Sequence, residues 1–214
     1  MVPMSNLHSI RTDYQGDPLP DDLTGIDPWE LFDSWVQQAL TSAAEPTAMI
    51  LTTVDAEGRP QSRVVLLKEY SPEGLTFFTS YDSAKGKEIA ANPTVGVLLW
   101  WPSNMRQIRA SGVAEMVSRE ESEAYFAERP RSSQIGTWAS SQSIAIESRQ
   151  DLAWAAGEAE QRFAGRSVEC PPNWGGYRVK VTELEFWQGL PHRMHDRARF
   201  EFTDGGWSPT RLAP

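Results

Sequence analysis

One stretch near the C-terminus gathers the side chains best suited to chemistry: Glu185-Phe186-Trp187-Gln188-Gly189-Leu190-Pro191-His192-Arg193-Met194-His195-Asp196-Arg197. It holds two of the three histidines and two arginines, and Arg199 follows. The chain itself is acidic, with 20 Lys+Arg against 29 Asp+Glu and a net charge of -9. A knot of cations on such a chain suggests a site for an anion. If residues 193–197 form a strand, its period of two places Arg193, His195 and Arg197 on one face. Two guanidiniums and an imidazole facing one way can hold a phosphate and still handle a proton. The same pattern also suits a solvated edge strand whose charges oppose aggregation.

Other candidates are scattered. Arg63 and Lys68 flank an apolar run, Val64-Val65-Leu66-Leu67, and their odd separation puts them on opposite faces unless the strand bends or ends there. Lys85 lies near a helix start, where free N–H groups favour anions, though it also reads as an ordinary surface lysine. Tyr125, Arg129 and Ser133 recur every four residues; Pro130 interrupts the helix that would align them, yet the three can still converge on one phosphate. Trp187 suits packing on a flat ring or burial in a core. Arg11 and Tyr14 pair a cation with an aromatic in a polar, Asp- and Pro-rich N-terminal arm, residues 1–26, that has no core of its own and that sequence physics alone reads rather as a disordered tail. These cations exceed what one phosphate needs, a pattern that suits two phosphorylated ligands side by side.

The elements that must position them read as follows. Asp27-Pro28-Trp29-Glu30 starts a helix with a capping box, and Leu31, Phe32, Trp35, Val36 and Ala39 continue it toward Ala44. Strands are expected over 48–54, 61–68, 75–80, 95–101 and 105–117, with Gly112 as a bulge. Ser83 caps a short helix that Pro93 stops, and Ser118-Arg119-Glu120-Glu121 opens another that ends at Arg129-Pro130. A short helical or irregular piece follows over 132–139, then a polar loop at 140–143. Leu152, Ala156, Ala159 and Phe163 mark a further helix. Strands over 177–187 and 197–202 and a short last one toward Leu212 complete the chain. Short turns between strands predict an antiparallel barrel, mainly β with flanking helices (α+β), as a single domain over 27–214.

Composition sets limits. The charge argues against general nucleic-acid binding. The lone Cys170 excludes an intrachain disulfide framework, and His8, His192 and His195 lack zinc spacing, so no metal site is expected. With no signal or transit composition and no spanning run, the expectation is a cytoplasmic protein with no membrane association. There is no Walker loop, Rossmann glycine fingerprint or nucleophile elbow, so a cofactor must be gripped by side chains on the barrel.

Several motifs resemble the pyridoxine (pyridoxamine) 5′-phosphate oxidase family of FMN-binding split barrels. They are Arg63-Val64-Val65-Leu66-Leu67-Lys68, Phe78-Thr79, Ser83-Ala84-Lys85, Arg129-Pro130-Arg131-Ser132-Ser133-Gln134-Ile135-Gly136 and Trp138-Ala139-Ser140-Ser141-Gln142-Ser143. Trp174-Gly175-Gly176-Tyr177, the stretch from Glu185 to Arg197 and the ending Arg211-Leu212-Ala213-Pro214 extend the likeness from Arg11 to the C-terminus. The resemblance implies an FMN site made by residues Arg63 through Lys68 (Arg63, Val64, Val65, Leu66, Leu67, Lys68), Phe78, Thr79, Lys85, Gln107, Gln142, Ser143, Trp187 and Arg197. It implies that Lys68, Tyr125, Arg129 and Ser133 grip a substrate phosphate, and that Arg193, Met194 and His195 meet the substrate ring. Arg193 and His195 would then be catalytic, with Arg11 and Tyr14 on an arm that closes as a lid. The implied reaction oxidises pyridoxine or pyridoxamine 5′-phosphate with O2, giving pyridoxal 5′-phosphate and H2O2, in a homodimer with shared active sites. Ala84 departs from the Arg that many relatives carry there, which removes one phosphate cation. Two alternatives stand beside this: a flavin oxidase of the same fold acting on a phenazine precursor, and a non-catalytic FMN- or pyridoxal-phosphate-binding protein.

Overall fold

A computed structural model describes residues 7–10 and 12–214; Arg11, expected in the catalytic set, lies outside the described residues. Among the described residues there are five α-helices and nine strands. They are α1 (Pro28–Ser42), β1 (Ala48–Val54), β2 (Pro60–Leu66), β3 (Glu69–Ser71), β4 (Gly74–Ser80), α2 (Ala84–Ala91), β5 (Thr94–Trp101), β6 (Arg106–Met116), α3 (Arg119–Glu128), α4 (Arg131–Ala139), α5 (Arg149–Arg162), β7 (Trp174–Gln188), β8 (Asp196–Thr203) and β9 (Gly206–Leu212). Hydrogen bonding orders the strands β2-β1-β5-β6-β7-β4-β3, with β8 on β7 and β9 on β8. The β1–β2, β3–β4, β4–β7, β7–β8 and β8–β9 pairings are antiparallel, as short turns require.

The chain packs as two compact units. One comprises Met1–Pro46, Leu99–Arg109 and Glu183–Pro214; the other comprises Thr47–Leu98 and Ala110–Thr182. In the first, α1 turns Trp29, Phe32, Trp35, Val36 and Ala39 inward. Trp35 meets Phe186 edge-on at 5.3 Å, and Phe186 meets Phe200 at 5.8 Å. Asp27 caps α1 by accepting from the Trp29 N–H at 2.8 Å. The expected reciprocal bond from Glu30 is not made, so that capping box is half formed; Ser118–Glu121 and Ser148–Asp151 complete theirs.

The arm is not a free tail over its described residues. Gly16 N–H donates to the Gly189 carbonyl at 3.0 Å, Leu19 N–H donates to Asp196 at 2.8 Å, and Leu19 and Leu23 are buried. A side chain at Gly16 would collide with Gln188, and one at Gly189 with the Tyr14 ring. Close backbone approach explains both glycines.

In the second unit, Met49, Leu51, Leu75, Phe77, Val97 and Val179 are buried to within a few per cent. A separate cluster of Phe126, Ile135, Ala159, Phe163, Val168 and Trp174 ties the helices α3, α4 and α5 to the start of β7. The segment 132–139, left open between helical and irregular, is helical, as α4. Among the described residues, no helix is long and apolar enough to cross a membrane.

Candidate active site

A cavity of about 590 Å³ opens in the second unit. Val64, Val65, Leu66 and Lys68 line it from β2 and just beyond, Phe78 and Thr79 from β4, Lys85 from α2, Tyr125 and Arg129 from α3 and its end, Ser133 and Thr137 from α4, and Gln142 from the loop after it. It thus unites residues that lie far apart in sequence. Pro130 ends one helix and α4 begins at Arg131, yet Tyr125, Arg129 and Ser133 do converge. Although the chain has 29 acidic residues, none lines this cavity.

Its polar groups are held without being neutralised. Lys85 Nζ donates to three uncharged oxygens, Thr79 Oγ1 at 3.1 Å, Ser83 Oγ at 3.3 Å and Gln142 Oε1 at 3.3 Å. Burial, aided by the nearby Arg63 charge, lowers the Lys85 ammonium below its ordinary value. Burial likewise lowers Arg129, which stays charged. Arg129 Nη1 donates to Thr137 Oγ1 at 2.7 Å, and the guanidinium lies 4.8 Å over the Trp174 ring. Phe78 stacks on Tyr125 at 3.9 Å and on Trp174 at 5.5 Å, giving the cavity a flat aromatic wall. Lys68 Nζ, Tyr125 OH and Ser133 Oγ make no hydrogen bond or ion pair among the described residues.

Three of the expected residues stand apart from this lining. Arg63 turns its guanidinium to Glu88 at 2.8 Å and to Thr53 Oγ1. Leu67 is buried. Ser143, at φ +68°, accepts from the Ala84 N–H at 3.2 Å.

The remaining expected residues belong to the first unit. Trp187 and His195 lie 4.6 Å apart, and Tyr14 meets both edge-on, at 5.6 Å and 5.2 Å. His195 Nδ1 accepts from the Leu190 N–H at 3.0 Å, so the neutral ring carries its proton on Nε2. Burial and the Arg193 charge lower its pKa. Arg197 pairs with the buried Glu185 at 2.8 Å, as Arg109 does at 3.1 Å. Arg193 makes no ion pair among the described residues and, with Thr12, Asp13, Tyr14 and His192, lines a hollow of about 130 Å³. Met194 is exposed, and Gln107 is half-buried on β6.

Residues 193–197 do not form one strand, so the condition under which Arg193, His195 and Arg197 would share a face is not met. Pro191–Arg193 is a single 3-10 turn, and β8 starts only at Asp196. His192 and Arg193 both sit at positive φ, 57° and 60°, because the chain must turn back sharply from β7 into β8. Arg193 and His195 are therefore placed by a strained turn, and only Arg197 by strand alternation.

Sequence reasoning missed Thr137, Glu88 and Gly16. Thr137 stands one helical turn after Ser133, which was a usable signal once α4 was known to be a helix.

Comparison with known proteins agrees across the chain. The family described as pyridoxamine 5′-phosphate oxidase matches residues 36–163, and the pyridoxine 5′-phosphate oxidase C-terminal dimerisation region matches residues 174–214. The pyridoxine/pyridoxamine 5′-phosphate oxidase of Pseudomonas paraeruginosa is 44% identical over 98% of this chain and 99% of its own length. That of Rubrobacter xylanophilus is 45% identical over 98% and 97%. The crystal structure of PhzG from Burkholderia lata 383, in complex with tetrahydrophenazine-1-carboxylic acid, superposes with a TM-score of 0.86 at 30% identity, covering 94% of this chain and 100% of that one. An FMN-binding, pyridoxamine 5′-phosphate oxidase-related protein from Nostoc punctiforme shares the fold, with a TM-score of 0.72 at 17% identity over 89% of this chain and 100% of that one. With matches of this extent and a cavity formed by the motifs themselves, the chain belongs to the pyridoxamine 5′-phosphate oxidase family.

Proposed function

We propose that this protein oxidises pyridoxine 5′-phosphate and pyridoxamine 5′-phosphate to pyridoxal 5′-phosphate, with FMN as cofactor and O2 as acceptor, releasing H2O2. The observation that carries this is the set of unclaimed donors in a cavity without carboxylates: Lys68, Tyr125, Ser133 and the remaining N–H groups of Arg129. Such a set suits a dianionic phosphate, which accepts several charge-assisted hydrogen bonds at once.

The cavity also fits FMN. Lys85 donates only to neutral oxygens and so has no carboxylate to leave for a second phosphate, while the exposed Val64 and Leu66 offer an apolar strand to a flat ring. Bound there, FMN would supply the two-electron acceptor for the hydride leaving the substrate's 4′ carbon, with O2 as the final oxidant. In this reading the cofactor is held by Arg63, Val64, Val65, Leu66, Leu67, Lys68, Phe78, Thr79, Lys85, Gln107, Gln142, Ser143, Trp187 and Arg197. Lys68, Tyr125, Arg129 and Ser133 anchor the substrate phosphate. Arg193 fixes the substrate ring and stabilises charge developing on it, with Met194 beside it. His195, neutral with its proton on Nε2, positions or relays a proton. Tyr14 and the arm cover the reacting groups. With the amine substrate, water hydrolyses the resulting imine and ammonia leaves.

We place this activity in a homodimer with shared active sites, in the cytoplasm. The match of residues 174–214 to a dimerisation region supports the dimer. The likeness to PhzG favours a second reading, oxidation of an unphosphorylated phenazine precursor, in which the four phosphate donors would have no work.

The test is direct. Purified protein should be yellow and, in air, convert pyridoxamine 5′-phosphate into a species with aldehyde absorbance while peroxide accumulates. Colourless protein that refuses added FMN and leaves both B6 phosphates intact sinks the proposal. Turnover of a phenazine precursor without turnover of B6 phosphates selects the second reading.

A further inference from the structure

Arg129 follows α3 immediately and precedes Pro130, with an extended backbone at φ -68° and ψ 146°. Its guanidinium has no carboxylate partner among the described residues. Three contacts hold it instead: the Trp174 face at 4.8 Å, the more distant Phe126 ring at 5.6 Å and, as its one hydrogen bond among the described residues, the Thr137 hydroxyl. That hydroxyl is itself oriented: Thr137 Oγ1 donates its one proton to the Ser133 carbonyl, one helical turn back, at 2.9 Å. Its lone pairs are thereby left to accept from Arg129 Nη1. The helix α4 thus carries both a phosphate donor, Ser133, and the acceptor that aligns the neighbouring guanidinium. The chemistry of the acceptor matters. A carboxylate here would orient Arg129 but cancel its charge, whereas a hydroxyl orients it and leaves the charge for a ligand.

We propose that Thr137 is a positioning residue that aligns Arg129 for the phosphate of the substrate and so sets the preference for phosphorylated over unphosphorylated B6 compounds. This rests on the reading of the cavity as the B6-phosphate site. The remaining Arg129 N–H groups point the cation at the phosphate only while Nη1 is tethered. Without the tether the side chain regains rotamers that face away.

The test uses T137V, which keeps the shape and removes the hydroxyl, and T137S, which restores it, together with R129A and the double variant T137V/R129A. Steady-state kinetics with pyridoxamine 5′-phosphate are read beside equilibrium binding of pyridoxal 5′-phosphate, followed by its absorbance. T137V should raise KM and weaken pyridoxal 5′-phosphate binding about tenfold, with kcat changed by less than about twofold. T137S should return both to within about threefold of the parent. In the R129A background, T137V should add nothing. Unpaired pyridoxal, which lacks the phosphate, should bind T137V and the parent equally. An unchanged KM and affinity in folded T137V, or an effect that adds fully to that of R129A, overturns the proposal; should T137V melt early, T137A carries the same comparison. If the parent protein binds pyridoxal 5′-phosphate but oxidises neither B6 phosphate, the oxidase reading falls alone, and the binding comparison still decides the role of Thr137.

Discussion

The cavity of one unit and the C-terminal turn of the other treat positive charge in opposite ways. In the cavity, Lys68, Lys85 and Arg129 sit at or beside regular elements with neutral partners or none, so several cations stay available together. Around the turn, Arg197 of β8 and Arg109 of β6 are committed to Glu185, and Arg211 of β9 to Asp196, while Arg193 makes no ion pair among the described residues and sits on a backbone at positive φ. The first arrangement suits a standing grip on an anion. The second suits one charge delivered to one place, which is what a transition state requires and a ground state does not. The difference predicts that cavity variants act on binding and turn variants on turnover.

The sharpest break would come from Arg193→Ala. Turnover should fall about 100- to 1000-fold, while flavin absorbance shows the cofactor retained. Normal turnover in that variant removes the distinction between the regions. Arg129→Ala should do the converse, raising KM for pyridoxamine 5′-phosphate about 100-fold with kcat little altered. A fall in kcat alone would merge the two sites into one kind.

Stability offers a second axis. Glu185 is buried and serves two guanidiniums, so Glu185→Ala should lower unfolding free energy by about 2–3 kcal/mol, discounted because Arg109 is half exposed. Lys68→Met should shift it by no more than about 0.5 kcal/mol, since Lys68 has no partner to abandon. Urea denaturation compares the pair, and equal losses would contradict the picture of unpaired cavity cations.

The smallest effect is titration of His195. Burial and the Arg193 charge lower its pKa, so its NMR midpoint should lie below the ordinary histidine value of about 6.5. Folding then favours the neutral ring. The stability this contributes is present above the unfolded-state value and is lost as pH falls through it toward the folded one. Replacing Arg193 by Ala should move the midpoint back upward.

Much of the scaffold was legible because its signals are local. Ser83, Ser118 and Pro93 mark helix ends through backbone hydrogen bonds and proline's missing N–H, and the strands announce themselves by β-branched runs between turns. The motifs shared with the family likewise named most residues that line the cavity.

Local pattern left the placement of Arg193 and His195 conditional on a strand, and a 3-10 turn at Pro191 stands there instead. The N-terminal arm, polar enough to pass for a tail, is held over its described residues by hydrogen bonds from Gly16 and Leu19 to residues far along the chain. By itself the sequence determined most of the elements, though not the short β3 or the helical state of 132–139, that the chain is acidic with a few gathered cations, and the family it resembles. Only the tertiary structure decided which cations remain un-neutralised: Arg63 is claimed by Glu88 and Arg197 by Glu185, whereas Arg129 has only a hydroxyl and aromatic faces among the described residues. The reason is physical: neutralisation depends on distances between residues remote in sequence, and neither periodicity nor composition encodes them.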